Sequence, residues 1–258
     1  MTESRDLTET RYTPERRAEL AERLEAVRGR IGAAAAEAGR DETPELIVVT
    51  KRFPASDACA LADLGVRLVG ENRDQEAAPK AKAVSEALPG PMRPSWHFIG
   101  QLQSNKAKSV VRYADAVHSV DRASLASALD KAMARALESG ERQGLLPVLP
   151  CLVQVSLDPD AESGRGGVQP ERLGEVAEAL EAAEHLELRG LMAVAPLGAD
   201  AAEAFGRLSE TRDSLVSEYP QASWLSAGMS QDLEAAVAAG ATHVRIGSDV
   251  LGPRAAVG

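Results

Sequence analysis

The chain has 258 residues, 44% of them hydrophobic and 26% charged, which is the composition of an ordinary globular protein and excludes a mainly disordered chain. Its longest apolar runs are far shorter than the roughly 20 residues of a membrane span. The net charge of −10 at pH 7 argues against nucleic acid as the main partner, because binding a phosphate backbone needs a basic surface.

The first predicted element is an amphipathic helix over Pro14–Ala38, in which apolar residues recur three or four positions apart: Leu20, Leu24, Val27 and Ile31. Short apolar runs then alternate with helical segments along the rest of the chain. The runs predict eight strands: Leu46–Thr50, Val66–Gly70, His97–Gly100, Ala116–Val120, Cys151–Val155, Leu188–Val194, Ser223–Ser226 and Val244–Gly247. The helical segments are Ser56–Leu64, Arg73–Ala87, Ser104–Tyr113, Asp121–Ser139, Pro170–Ala183, Ala201–Tyr219 and Gln231–Ala239.

This alternation predicts right-handed parallel crossovers, and eight of them in ~250 residues predict an α/β fold, a single (β/α)8 TIM barrel with an extra N-terminal helix. The alternative is a doubly wound open sheet, which would place a glycine fingerprint after the first strand, where Lys51–Pro54 has none. No serine- and glycine-rich linker divides the chain. We therefore expect one domain over residues 1–258, with residues 1–13 flexible.

Cysteine usage and the first residues indicate where the protein resides. Cys59 and Cys151 are too few and too far apart for a disulfide framework. Residues 1–10 are polar, carry charges of both signs and lack the apolar core of a signal peptide. The simplest interpretation is a cytoplasmic protein that binds neither nucleic acid nor a membrane. With no long apolar heptad pattern in the sequence, we expect a monomer.

Lys51 is the one lysine of six that directly ends an apolar strand. In a barrel the functional groups gather at the carboxyl ends of the strands, and burial there favours the neutral amine, which attacks aldehydes. The alternative is a lysine that reaches solvent or pairs with Glu71. Spacing alone does not decide between the two.

A second set of candidates follows strands seven and eight. Barrels often bind phosphate between these two loops, on backbone N–H groups that glycine leaves accessible. Gly247 provides such a backbone position, and Ser226 and Ser248 add hydroxyl donors. The structural alternative is that the glycines only form turns and that Ser230 caps the helix over Gln231–Ala239.

Arg245 alternates with Val244 and Ile246, so it points to the opposite side of its strand from them. An inward-facing arginine needs a partner, and the sequence leaves open whether this is a ligand or a carboxylate of the barrel. The four histidines have no metal-ligand spacing, and His185 and His243 are predicted to lie at ordinary surface or loop positions.

Several segments together resemble a known family. In chain order they are Val49–Lys51, Gly70–Glu76, Trp96–Lys106, Ser119–Arg122, Gly190–Ala193, Leu225–Ser230 and Val244–Ser248. They resemble the pyridoxal phosphate homeostasis protein family, and the resemblance runs from about Arg16 to Arg254. The segments Trp96–Lys106 and Leu225–Ser230 are the most specific to it.

The resemblance implies a barrel like the N-terminal domain of alanine racemase that holds pyridoxal 5'-phosphate (PLP). It places Lys51 at the family's Schiff-base lysine, Asn72 beside the cofactor and Arg245 opposite the pyridine nitrogen. It places the phosphate-binding positions at Ser226, Gly247 and Ser248. Asp249 stands where a small residue is usual, and a carboxylate so close to a phosphate repels it unless it points away.

These residues leave three functions open. A guanidinium opposite the ring can only donate, so the pyridine stays unprotonated and is a weak electron sink, which disfavours transaminase chemistry. We therefore expect a protein of intracellular PLP homeostasis that stores the cofactor, delivers it transiently to PLP-dependent apo-enzymes and lacks robust turnover. The first alternative is a weak PLP-dependent amino-acid racemase, for which the resemblance supplies no second base beside Lys51. The second is a Schiff-base lyase or aldolase that acts on a phosphorylated sugar without PLP.

Overall fold

The predicted strands close into one parallel barrel. The structure is a computed structural model that describes residues 6–142, 144–158 and 166–253. The strands follow chain order around the barrel, and β8 closes it by pairing with β1. They are β1 (Glu45–Val49), β2 (Leu68–Glu71), β3 (Ser95–Phe98), β4 (Ala116–Val120), β5 (Leu149–Gln154), β6 (Leu186–Met192), β7 (Trp224–Ser226) and β8 (His243–Ile246). The predicted (β/α)8 barrel with an extra N-terminal helix is confirmed, and the strand ends differ from the predicted ones by no more than two residues.

Helices connect the strands. They are α1 (Pro14–Glu37), α2 (Ala55–Asp63), α3 (Asp74–Ala87), α4 (Ala107–Val110), α5 (Ala123–Glu138), α6 (Leu173–Glu181), α7 (Ala201–Glu218), α8 (Leu233–Ala238) and α9 (Ser248–Leu251). Before α4 and α6, the residues Ser104–Lys106 and Pro170–Arg172 form 3-10 turns, a common way for a helix to begin. The sequence did not predict α9, which is too short to show a helical period. Within the described ranges, no helix combines the length and the apolar character needed to cross a membrane.

The first helix covers one side of the barrel. It begins where the Thr13 hydroxyl accepts a hydrogen bond from the Arg16 N–H, with Pro14 in the first turn, where its missing N–H costs no hydrogen bond. Its predicted apolar stripe is buried, at roughly 1.5–3 kcal/mol for each large side chain. Residues 1–5 lie outside the described residues, whereas the Leu7 carbonyl accepts a 2.9 Å hydrogen bond from Ala55 N–H. The flexibility of residues 1–13 stays a prediction.

The two faces of the barrel strands differ in polarity. The outward face packs against the helices and forms most of the apolar core, as at Val48 and Val153. In contrast, His118 on β4 makes a 2.9 Å hydrogen bond to Ser226 on β7. Because β4 and β7 are not neighbours in the sheet, this bond crosses the interior of the barrel. The interior therefore carries polar side chains, and some of them lie directly below the carboxyl ends of the strands.

Candidate functional site

The six site residues predicted from the sequence lie on four consecutive strands of the barrel, β7, β8, β1 and β2. In that order they are Ser226, Arg245, Gly247, Ser248, Lys51 and Asn72. All six belong to the carboxyl ends of these strands or to the loops that follow them. The register pairs Val48 with Ile246 and Val49 with Gly70, so the strand ends lie next to one another. The fold thus brings the predicted residues to one edge of the barrel.

Lys51 lies in a tight turn at the end of β1. The turn is closed by a 3.0 Å hydrogen bond from Phe53 N–H to the Thr50 carbonyl, and Lys51 is partly buried in it. Arg52 has φ of 66°, a left-handed conformation that is unusual for a residue other than glycine. Its N–H donates to the Glu76 carboxylate at 3.1 Å, which helps to hold this conformation. Backbone strain of this kind is typical of functional sites, at a cost of about 1–3 kcal/mol.

A buried ion pair supports this turn from the outside of the barrel. Lys80 on α3 is fully buried, and its ammonium donates to the Glu71 carboxylate at 2.6 Å and to the Thr50 carbonyl at 2.9 Å. The Thr50 hydroxyl donates to the same Glu71 oxygen at 2.7 Å. Burial raises the pKa of Glu71, and the ammonium opposes that shift. Lys80 therefore binds the carboxylate that was considered as a partner for Lys51, and it fixes the residue directly before Lys51.

Asn72 follows this pair at the end of β2, where it is partly buried. The next loop packs closely against its backbone, since a Cβ at Gly100 would lie 2.1 Å from the Asn72 carbonyl oxygen. The Ile99 N–H also donates to the Glu71 carbonyl at 2.8 Å. Only glycine allows this approach, so Gly100 fixes the position of Asn72.

Arg245 lies inside the barrel, as its alternation with apolar neighbours predicts, and it is 4% exposed. Its Nη1 donates to the Ser226 hydroxyl at 2.7 Å and its Nη2 to the Ala193 carbonyl at 2.8 Å. Among the described residues no carboxylate lies within ion-pair distance of Arg245. The ion pair with a barrel carboxylate, which the sequence left open, is therefore not found in that part of the chain. Burial lowers the pKa of Arg245 to about 10, which leaves it charged at neutral pH.

Ser226 is fully buried, and its hydroxyl contacts both Arg245 and His118. It was predicted to donate to a phosphate, and nothing in the structure tests that role directly. The geometry shows that its hydroxyl accepts a hydrogen bond from the guanidinium of Arg245, and its role towards phosphate stays a prediction.

Sequence reasoning missed a group of histidines inside the barrel. His97 and His118 are buried and 2.8 Å apart between Nδ1 and Nε2, and their ring centroids lie 6.3 and 6.2 Å from that of His243. The prediction that His243 is an ordinary surface or loop residue is wrong, since it lies on β8, is 5% exposed and contacts Trp224. His185 is partly buried beside Asp130. Across the described ranges, no three His, Cys, Asp or Glu side chains are placed to bind a metal.

The loops after β7 and β8 have the predicted backbone character. Gly228 has φ of 90°, and a Cβ there would lie 2.6 Å from Ala236. A Cβ at Gly247 would lie 3.2 Å from the Val49 carbonyl, so glycine lets the β8 loop lie against the end of β1. The side chain of Ser248 is exposed at the start of α9. These loops therefore border the turn that carries Lys51.

Two details of these loops differ from what the sequence suggested. Ser230 does not cap α8; the residue before α8 is Asp232, whose carboxylate accepts a 2.6 Å hydrogen bond from Met229 N–H. Asp249 lies 3.3 Å from Arg30 on α1, which also binds Glu234. The Asp249 carboxylate, which we expected to repel a phosphate, is thus paired with the guanidinium of Arg30.

The chemistry of these groups fits PLP. Its aldehyde needs an amine, which Lys51 provides, and its pyridine nitrogen accepts a hydrogen bond, for which Arg245 is a donor. Its phosphate needs N–H and hydroxyl donors, which Gly247 and Ser248 offer. The structural observation behind this match is the close approach of Gly247 to Val49, which places the donors of the β8 loop beside the Lys51 turn.

Comparisons with known proteins bear on this match. The sequence model of the family described as "Alanine racemase, N-terminal domain" matches residues 23–255. A pyridoxal phosphate homeostasis protein of Mycobacterium tuberculosis is 43% identical over 250 residues, which cover 93% of this chain and 95% of that protein. A protein of the same description from Escherichia coli is 37% identical over 240 residues, which cover 92% of this chain and 97% of that protein.

Solved structures show the same relationship. PipY of Synechococcus elongatus, in a structure with PLP bound, superposes with a TM-score of 0.73 at 35% identity, over 90% of this chain and all of that chain. Its structure without PLP gives a TM-score of 0.74. The chain therefore belongs to the alanine racemase N-terminal domain family and, within it, to the pyridoxal phosphate homeostasis proteins.

Proposed function

We propose that this chain binds PLP at the carboxyl end of its barrel, holds it as a Schiff base on Lys51, and acts in PLP homeostasis. Lys51 would supply the amine that condenses with the aldehyde of PLP, with loss of one water molecule. The turn over Thr50–Phe53, supported by Lys80 from behind, presents that amine at the end of β1. The PLP-bound structure of PipY and the names of the curated relatives support this proposal.

The observation that carries the proposal is the burial of Arg245 beside neutral partners. No carboxylate bonds to this guanidinium among the described residues, and only the charge of Asp232 partly offsets the cost of its burial. An electron-rich ligand at the end of the barrel would offset more of that cost. PLP offers both an acceptor nitrogen and a phosphate dianion. Bound PLP supplies an electron sink that is strong only when its ring nitrogen is protonated, and Arg245 can only donate to that nitrogen. The site thus disfavours transaminase chemistry, which relies on that sink, and is compatible with storage of the cofactor.

The phosphate is assigned to the loop after β8. Gly247 brings backbone N–H groups close to β1, and the exposed Ser248 hydroxyl, which donates a long 3.4 Å hydrogen bond to Asp249, can turn from it towards a ligand. Arg30 removes the repulsion that Asp249 would otherwise exert. Asn72, fixed by Gly100, lines the opposite side of the Lys51 turn.

A protein that stores PLP also has to release it. We propose that the chain is a cytoplasmic monomer that meets PLP-dependent apo-enzymes transiently, since the site opens at the end of the barrel where a recipient has access. The chemistry of the chain itself is limited to binding, orienting and releasing the cofactor.

Titration with PLP tests this function. We expect stoichiometric binding with a visible absorption band, absent in Lys51→Arg, and recovery of activity when the loaded chain is mixed with an apo-enzyme that depends on PLP. Interconversion of L- and D-amino acids is measured in parallel. Sustained racemisation that disappears in Lys51→Arg would replace storage by the racemase alternative. A chain that binds no PLP would contradict both functions.

A further inference from the structure

Four buried side chains form a continuous series of hydrogen bonds across the barrel interior. His97 Nδ1 lies 2.8 Å from His118 Nε2, His118 Nδ1 lies 2.9 Å from the Ser226 hydroxyl, and Arg245 Nη1 lies 2.7 Å from the same hydroxyl. They come from β3, β4, β7 and β8, and none is more than 4% exposed. We call these four residues the interior chain. Its last member is the arginine assigned to the pyridine ring.

The hydrogen-bonding capacity of Arg245 and Ser226 sets the direction of the bonds in the interior chain. A guanidinium has donors only, so the Ser226 oxygen must accept from Arg245. The oxygen has a second lone pair, but the single hydroxyl proton of Ser226 needs an acceptor, and among the described residues the only other hydrogen-bond partner of this hydroxyl is His118 Nδ1. We therefore assign His118 Nδ1 as an unprotonated acceptor. The proton of His118 therefore resides on Nε2 and is donated to His97 Nδ1. Both histidines are thereby neutral and carry their proton on Nε2.

The surroundings favour this neutral state. A protonated His118 would place a second cation next to the buried guanidinium of Arg245, and His243 also faces both rings. Burial lowers the pKa of His97 to about 3 and that of His118 well below its usual value, with the neighbouring histidines and, for His118, Arg245 adding to the shift. At neutral pH the interior chain contains one charge, which is on Arg245.

This arrangement fixes the orientation of the guanidinium. Its Nη1 is held by Ser226 and its Nη2 by the Ala193 carbonyl, and a planar guanidinium with two anchored nitrogens has one orientation. Ser226 alone does not suffice, because its hydroxyl would rotate if His118 did not accept its proton. The orientation of Arg245 therefore depends on a residue on the other side of the barrel.

We infer that His97 and His118 are positioning residues for PLP: through Ser226 they hold Arg245 as a fixed donor towards the pyridine nitrogen and thereby keep that nitrogen unprotonated. The inference rests on the proposed function and goes beyond it. It extends the binding site from the residues assigned to PLP to His97 and His118 inside the barrel.

The first test needs no cofactor. Nitrogen NMR of the histidine rings in the chain without PLP at neutral pH should show His97 and His118 as neutral rings with the proton on Nε2. A proton on Nδ1 of His118, or a charged His118 ring, would overturn the inference, because Ser226 could then not accept from Arg245 while donating to His118.

The second test measures the pH at which the pyridine nitrogen of PLP becomes protonated. PLP is fixed on the protein with borohydride, and the pH at which the ring absorbance changes is measured in the unaltered chain and in three variants. In His118→Leu, which has no acceptor for Ser226, we expect ring protonation to occur about one pH unit higher, a tenfold change, and unreduced PLP to be lost about tenfold faster. His118→Asn places an amide oxygen near the position of Nδ1 and should restore most of both properties. His185→Leu, which removes a histidine outside the interior chain, should leave both unchanged.

The outcomes separate the inference from the proposed function. Equal ring titration and equal PLP loss in His118→Leu and the unaltered chain would overturn the inference while leaving PLP binding intact. Failure of the unaltered chain to form a reduced adduct would overturn the proposed function and the inference with it. If His118→Leu does not fold, the ring nitrogens in the NMR experiment and the behaviour of His118→Asn decide.

Discussion

Two buried polar networks flank the strand ends of the candidate site, and they differ in how charge is balanced. On the outside of the barrel, Glu71 and Lys80 have opposite charges, lie 2.6 Å apart and each form a further hydrogen bond with Thr50. On the inside, Arg245 is the only charged member of the interior chain, and its partners are a hydroxyl and a carbonyl. In the outer network two opposite charges balance, although Glu71 Oε2 has no hydrogen-bond partner there, whereas the inner network has a guanidinium with no carboxylate within ion-pair distance among the described residues.

This difference indicates separate roles. A buried ion pair whose charges balance exerts little net attraction on an anionic ligand, so we assign it the task of holding Lys51 and Asn72 in place. A buried arginine beside neutral groups keeps its electrostatic attraction for a ligand. Loss of the outer network should therefore damage the fold, while loss of the inner arginine should damage binding.

The largest effect is expected at Lys80. Lys80→Met leaves the Glu71 carboxylate buried without its cation, and we expect the free energy of unfolding to fall by about 3–5 kcal/mol. Urea denaturation at neutral pH measures this loss. Lys82→Met on the same helix removes an exposed ammonium and should change stability by less than about 0.5 kcal/mol. The double variant Lys80→Met, Glu71→Gln should regain most of the loss, and an equal loss in single and double variants would contradict the pairing.

In Arg245→Met we expect a small change in stability and a large loss of PLP binding. The unfolding free energy should change by less than about 2 kcal/mol, because removal of a buried charge offsets the lost hydrogen bonds. Retention of PLP should weaken by about 10–150-fold, the equivalent of ~1.5–3 kcal/mol for a hydrogen bond to a charged group. Dialysis followed by absorption spectroscopy gives the retention. Unchanged retention would place the ring away from Arg245.

The neutral histidines inside the barrel predict a pH dependence of stability. Burial, together with Arg245 and Arg189, lowers the pKa of His243 to about 4. Between about pH 6.5 and 4 the unfolded chain binds a proton there that the folded chain does not, so stability is present at pH 7 and falls as the pH drops. In His243→Phe the loss of unfolding free energy between pH 7 and pH 5 should be smaller by about 2 kcal/mol. Identical losses in both proteins would mean that His243 is protonated when folded.

The smallest effect is expected at the edge of the site. Arg30 is partly exposed and binds both Glu234 and Asp249, so its contribution is screened by solvent. Arg30→Ala should weaken PLP retention by no more than about fivefold, since an exposed ion pair contributes about 0.2–1 kcal/mol. The effect should be larger at low salt and should vanish in Arg30→Ala, Asp249→Asn. Weaker retention in the double variant than in the single one would show that Asp249 does not repel the phosphate.

The sequence predicts the barrel and the position of the candidate site residues at the strand ends, because both follow from local patterns. The alternation of strands and helices follows directly from the order of apolar runs and helical segments in the sequence. Lys51 and Arg245 can be recognised because they are charged residues beside apolar strand residues. The interior chain could not be predicted in this way, because His97, His118 and Ser226 meet across the barrel and their contact depends on its closure.

Lys80 shows a second limit. In sequence it is one lysine of an ordinary polar helix, and only the packing of α3 against β1 and β2 shows that it is buried with Glu71. Ser230 shows a third limit, since a serine one residue before the predicted helix resembles a cap, yet α8 begins after Asp232. The sequence signal for the buried pair of Glu71 and Lys80 is a glutamate at the end of an apolar strand. That signal does not identify Lys80 as the partner.

The most direct test of the proposed site is borohydride reduction of the PLP-loaded chain followed by peptide mass mapping. We predict that the added mass is confined to the peptide that contains Lys51, and that Lys51→Ala folds normally but takes up no label. Label on any other lysine, or a reduced adduct in Lys51→Ala, would contradict the assignment of Lys51 as the residue that holds PLP.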